Sequence, residues 1–224
     1  FEVNTVGAHT LLQAMIATNV TRFVFSSTAS VYGETDGTPI DELHGASPIN
    51  AYGCSKRMTE EMLEWTGRAY GLRFISLRYF NAAGATERCG EDHRPETHII
   101  PIAIDAARQA REVLIFGGDH PTPDGTCIRD YVHVGDIADA HLNAVTYLRD
   151  GGTSEFVNVG SGTGNSVLEV VESVRVLTEL ALETRIAPPR AGDPPVLVAS
   201  IEKAGRVLDW RPRRSDIDRI VSDA

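Results

Sequence analysis

Apolar and polar positions along the chain fall into blocks that change period. Leu11, Leu12, Met15 and Ile16 recur at helical spacing and predict a helix over Thr5–Asn19. Arg22–Ser26 is a short apolar run of strand length, followed at once by hydroxyl side chains. Residues 33–51 are punctuated by Gly, Pro and Asp and read as a long loop. Met58, Met62, Leu63 and Trp65 share one side of a second helix, Tyr52–Tyr70, and Gly71 stops it. Arg73–Leu77 is a second strand. Two such strands joined through a helix make a βαβ unit, which needs a parallel sheet covered by helices.

After Tyr79 the texture changes. Residues 84–98 and 117–127 are long loops rich in Gly, Pro, Asp and His. Helices are predicted at Ile99–Ala110, Asp136–Leu148 and Val167–Leu180. Strands are predicted at Val113–Phe116, Asp130–Val134, Phe156–Val159 and Glu183–Ala187. Long irregular loops inside a compact chain usually hold a binding site. The fold class is therefore α/β, with a boundary near residue 80.

Composition narrows the function classes. The 224 residues carry a net charge of −10, which argues against a nucleic-acid partner, because phosphate binding needs a basic face. No apolar run approaches the roughly 18 residues of a membrane span, and no basic-then-apolar leader pattern is present. No membrane partner is expected. Cys54, Cys89 and Cys127 lie far apart without C-x-x-C spacing. They predict neither a disulfide framework nor a metal site, and they suit reduced thiols in a cytoplasmic protein.

Tyr52-Gly-Cys-Ser-Lys56 is the sharpest local signal. A spacing of four places both side chains on one helix face, where an ammonium favours a phenolate for proton transfer. Only two of the 21 basic residues are lysines, Lys56 and Lys203. Arginine would serve a surface ion pair equally well, so a lysine at 56 is informative. Ser26-Ser27-Thr28-Ala29-Ser30 follows the first strand, at the end of a sheet where open α/β folds bind ligands. Hydroxyl, tyrosine and lysine together suggest a Ser/Thr–Tyr–Lys set, the arrangement of short-chain dehydrogenase/reductases.

Four further blocks make the resemblance specific. They are Arg78-Tyr-Phe-Asn-Ala-Ala-Gly-Ala85, then Pro121–His133 followed by Asp136-Ile-Ala-Asp-Ala-His141, then Asn158–Val167, and then Pro189-Arg-Ala-Gly-Asp193. In type and order they resemble the UDP-galactose 4-epimerases, extended members of that superfamily. The resemblance covers nearly the whole chain. It implies a Rossmann-like parallel sheet with a smaller α/β substrate domain. Residues 1–80 would be the catalytic half of an NAD-binding Rossmann domain. Residues 81–224 would be the UDP-sugar region, with one segment able to return to the sheet.

The resemblance also implies site residues. Tyr52, Lys56 and Thr28 would be catalytic. Asn4, Ser26, Ser27, Tyr52, Lys56 and Tyr79 would face NAD. Thr28, Asn81, His98, Ile99, Leu114, Phe116, Arg129, Arg190 and Asp193 would face UDP-glucose or UDP-galactose. The Tyr52–Tyr70 helix could pack in a homodimer. His98 stands where the family commonly has asparagine, and imidazole can still donate to phosphate.

Gly160-Ser-Gly162-Thr-Gly164 is not expected to hold a dinucleotide, because Asn165 replaces the third glycine and Ser166–Glu169 is a helix capping box. None of the 20 glycines falls in a G-x-G-x-x-G or G-x-x-G-x-x-G arrangement. About 90 residues of a first βαβαβ half are accordingly expected before Phe1. The 224 residues alone are expected to bind NAD poorly and to turn over weakly. The alternatives are an impaired UDP-sugar-binding module, or another nucleotide-sugar epimerase or dehydratase. A dehydratase is disfavoured because Ala29-Ser30 stands where an Asp-Glu pair is typical.

Overall fold

The computed structural model describes residues 1–190, 192 and 194–224. In chain order the elements begin with α1 (Gly7–Ala17), β1 (Arg22–Thr28), α2 (Ala51–Tyr70), β2 (Arg73–Tyr79) and β3 (Asn81–Ala83). Next come α3 (Ile99–Arg108), β4 (Val113–Phe116), β5 (Ile128–Arg129), β6 (Tyr131–His133), α4 (Val134–Arg149) and β7 (Glu155–Val159). The chain ends with β8 (Asn165–Ser166), α5 (Val167–Thr178), β9 (Thr184–Ala187), β10 (Val196–Leu197), α6 (Glu202–Leu208) and α7 (Ile217–Asp223).

Strands β1, β2 and β7 form a parallel sheet in that order, with Thr28 level with Tyr79 and Tyr79 level with Val159. Side chains alternate across it, as the pleat requires. Phe25 and Phe74 face Leu12 and Met15 of α1 and Leu63 of α2. Ile75, Leu77, Val157 and Val159 face Ala140, Ala144 and Leu148 of α4, with Leu208 and Trp210 from the α6 region. The three layers of a helix-covered parallel sheet result. A second core joins Ile100 and Ile104 of α3 to Val170, Val171 and Val174 of α5 and Ile220 of α7.

The α2 helix shows why local sequence sufficed for the early elements. Asn50 caps it, accepting from Gly53 N at 2.8 Å, and Gly71 ends it at φ 72°. The expected capping box at Ser166 and Glu169 is present at the start of α5. Differences gather where partners lie far away in sequence. The predicted strand Asp130–Val134 is shorter, β6 alone, with Val134 opening α4, and β5 just before it belongs to a different sheet: β5 pairs with β8 and β10, while β6 pairs with β3. Two- and three-residue strands such as β3, β8 and β10 carry no periodic pattern of their own. Among the described residues, no helix is long and apolar enough to cross a membrane.

Candidate active site

Two sets of side chains converge, the first at the carboxyl ends of β1 and β2. Helix α2 starts beside this end because Gly53 allows close approach. A Cβ there would meet the Ser30 carbonyl oxygen at 2.2 Å. The first turn of α2 thus lies against the Thr28–Ser30 turn, where Thr28 Oγ1 accepts from Ser30 N at 3.2 Å. Thr28 is buried, whereas Tyr52 is half exposed. Lys56 lies one turn further on. Its Nζ donates to the Ser26 carbonyl at 3.1 Å, 5.1 Å from the Phe25 ring centroid and 5.9 Å from that of Tyr52. Burial holds this ammonium below the usual lysine range.

The pleat separates the neighbouring serines. Ser26 faces α4, and its hydroxyl accepts from Tyr79 Oη at 2.9 Å. Tyr79 Oη also lies 2.8 Å from Nε2 of His141. His141 Nδ1 is 3.0 Å from the Ile137 carbonyl, which can only accept. Nδ1 is therefore the donor in that contact. Burial pushes the Tyr79 phenol up to about 12. Ser27 faces the other way and donates to buried Glu60 at 2.8 Å, so its hydroxyl belongs to the interior and not to the open end of the sheet. Asn4 lies behind α2: its Nδ2 donates to Ser55 Oγ at 3.1 Å, and its carbonyl accepts from Thr59 at 2.8 Å. His141 was not singled out from sequence. A histidine inside a helix carries no local sign of the tyrosine opposite it on another strand.

The second set lines a cavity of about 470 Å³. Asn81, His98, Ile99, Leu114, Phe116, Arg129 and Arg190 all face it, though they come from segments scattered over more than a hundred positions. The guanidinium of Arg190 lies 4.2 Å from the Phe116 ring centroid. Residues Thr97–Ile102 at the start of α3 form another wall, so the positive end of a helix is directed to the cavity. Asn81 is fixed by its own N–H and by its side-chain amide, both donating to the Asp130 carbonyl at 2.9 and 3.2 Å. Asp193 lies outside the described residues.

Buried Asp130 explains the glycine run. Its carboxylate accepts from Ser161 N, Ser161 Oγ, Gly162 N and Ala199 N at 2.6 to 3.1 Å. Burial raises it above the usual carboxylate range, against the pull of these bonds. The amides at Ser161 and Gly162, which a dinucleotide turn would offer to a pyrophosphate, are thus occupied by an internal anion.

Comparison with known proteins agrees with this geometry. The model of the NAD dependent epimerase/dehydratase family matches residues 1–160. A UDP-glucose 4-epimerase of Streptococcus mutans serotype c is 49% identical over 227 residues, covering 100% of this chain and 68% of that protein. The crystal structure of UDP-glucose 4-epimerase from Brucella ovis in complex with NAD superimposes with a TM-score of 0.96 at 42% identity, covering 100% of this chain and 70% of that one. The UDP-glucose 4-epimerase of Bifidobacterium longum in complex with NAD+ and UDP gives 0.92 at 33% identity, with 99% and 68% covered. The chain belongs to the NAD dependent epimerase/dehydratase family.

Proposed function

We propose that this protein interconverts UDP-glucose and UDP-galactose through NAD-dependent oxidation and re-reduction at C4. One observation carries the reading: seven residues from distant segments line a single cavity, with Asn81 only two residues beyond the strand end where Tyr79, Ser26 and Lys56 meet. The relatives of similar sequence carry this activity in their names and support it.

The residues present fit the nicotinamide end of NAD. Lys56 is a half-buried ammonium held by a carbonyl, with further donor capacity for ribose hydroxyls. Ser26 and Tyr79 offer hydroxyls at the open end of a parallel sheet. Bound there, NAD supplies the acceptor and donor of the C4 hydride. Tyr52 takes the O4 proton as the C4–H bond breaks, and it returns the proton when the 4-keto sugar is reduced on its other face. Lys56 favours the phenolate form of that tyrosine. Thr28 positions the sugar hydroxyl. Arg129, Arg190 and the start of α3 hold the diphosphate, and Phe116 lies against the base. A firm grip on the UDP part leaves the hexose free to turn.

In this reading residues 1–80 form the catalytic half of the dinucleotide domain. Residues 81–224 form the UDP-sugar region, and β7 returns to the first sheet. Exposed Met58 and Trp65 on α2 support a homodimer contact through that helix. Cys54, Cys89 and Cys127 form no disulfide among the described residues, which suits a cytoplasmic setting. The impaired-module alternative is not favoured, since Tyr52, Lys56 and Thr28 are all present.

The test follows UDP-galactose by NMR in the presence of protein and saturating NAD. UDP-glucose should appear, slowly, because the 224 residues lack a G-x-G-x-x-G dinucleotide turn. Tyr52→Phe should slow its appearance at least ~100-fold, as loss of a general base does, with UDP affinity retained. No conversion by protein that binds both UDP and NAD would overturn the reading.

A further inference from the structure

The loop between β3 and α3 contains Glu91-Asp-His-Arg-Pro-Glu-Thr-His98, in which carboxylate and imidazole alternate. The expectation of no metal rested on cysteine spacing, which says nothing about this pattern. One donor atom from each of Glu91, His93, Glu96 and His98 lies within 4.8 Å of all the others. Glu91 Oε1 is 3.9 Å from His93 Nδ1 and 3.6 Å from His98 Nδ1. His98 Nδ1 is 2.8 Å from Glu96 Oε1, and the two imidazole rings are 5.5 Å apart. We propose that these four side chains form a binding site for a divalent transition metal of the zinc class.

Donors at ~2.0–2.2 Å from a tetrahedral ion stand roughly 3.3–3.6 Å from one another. Separations of 2.8, 3.6 and 3.9 Å bracket that range and all four donors stay within 4.8 Å of one another, so side-chain shifts of up to about an ångström close the site. Two carboxylates balance one divalent cation. Arg94 does not compete, because its guanidinium is paired with Asp92 at 3.1 Å. Glu96 is held in place by the backbone N–H groups of Thr97 and His98, which donate to its Oε1 at 2.6 and 2.7 Å, so its Oε2 is the oxygen left for an ion. Two imidazoles favour zinc, cobalt or nickel over calcium and magnesium, which prefer all-oxygen shells. Glu91, His93 and His98 remain partly open to solvent, which leaves an entry path.

The placement gives the ion a role. Glu91, Thr97 and His98 belong to the cavity wall, and His98 immediately precedes α3. A bound ion cross-links residues 91–98 and fixes that wall. It also neutralises Glu91 on the wall of a cavity that, on the reading above, takes a diphosphate, together with Glu96 beside it.

The test needs no nucleotide, so its outcome is separate from that of the proposed activity. The chain is stripped with a chelator and titrated with Zn2+ by calorimetry, and with Co2+ by visible spectroscopy. One ion per chain is expected, with the d–d bands of a four-coordinate Co2+ site. His93→Ala and Glu91→Gln should each weaken binding at least ~10-fold. Both positions are exposed enough for the fold to survive, which circular dichroism of the metal-free variants checks. Arg94→Ala should bind as wild type. Absence of stoichiometric binding, or binding that survives both ligand substitutions, overturns the proposal.

Discussion

Glu60 and Arg78 form a bidentate ion pair inside the protein, with Nε to Oε1 at 2.9 Å and Nη2 to Oε2 at 2.8 Å. Glu60 lies one turn beyond Lys56 on α2, and Arg78 lies next to Tyr79 on β2. Ser27 and Ser76 donate to the same carboxylate. Arg78 also reaches Tyr32 Oη at 3.1 Å and lies over the Phe156 ring. This pair fixes the rotation of α2 against the sheet, and with it the placement of Tyr52 and Lys56. Glu60→Gln leaves a buried guanidinium facing a neutral amide. Breaking a pair of this kind costs about 3–5 kcal/mol, which denaturant unfolding should register.

Gly53→Ala tests the approach of α2 to the Thr28 turn. Its Cβ has no space against the Ser30 carbonyl, so the start of the helix must move outward. Displacement of a catalytic group by ~1 Å costs about 100-fold in rate. Turnover should fall by that order while UDP affinity holds, since the cavity residues lie on other elements.

Lys56→Met should separate stability from activity. Burial lowers the folded-state pKa of this lysine, so at neutral pH the charged form is less favourable in the fold than in the unfolded chain. That cost disappears only as pH rises through the folded pKa. The substitution removes it, and Tm at neutral pH should stay level or rise. Turnover should fall at least ~100-fold.

The alkaline limb of stability reports two buried phenols. Burial raises Tyr32 and Tyr79 from 10.0 to about 12. The neutral phenols are thus favoured in the fold. The stability they contribute is fully present below pH 10 and is lost as pH rises toward 12. Each phenol steepens the loss by up to roughly 1.4 kcal/mol per pH unit. Tyr32→Phe should flatten the dependence between pH 10 and 12, whatever it does to stability at pH 7.

Asp130→Asn should destabilise the turn at 160–164. An amide offers one acceptor oxygen and directs its NH2 at Gly162 N or Ala199 N. A buried donor left facing a donor costs about 1–3 kcal/mol, measurable by thermal unfolding.

The chain sequence determined whatever depends on near neighbours. The α2 helix from its cap to Gly71, strands β1, β2 and β4, the Tyr52–Lys56 spacing and the capping box at Ser166 all follow from local propensity, periodicity and capping chemistry. Motif order added the set of cavity residues, but not the fact that they line one cavity. Tertiary structure alone decided the rest. It set Ser26 toward the open face and Ser27 toward Glu60, because only sheet pairing fixes which side of the pleat a residue takes. It divided residues 128–133 between two sheets, because strands of two or three residues are defined by distant partners. It placed His141 on Tyr79, Asp130 inside a glycine turn, and Arg190 on Phe116. These are contacts between positions tens of residues apart, whose closeness follows from how the layers pack and leaves no local mark on the sequence.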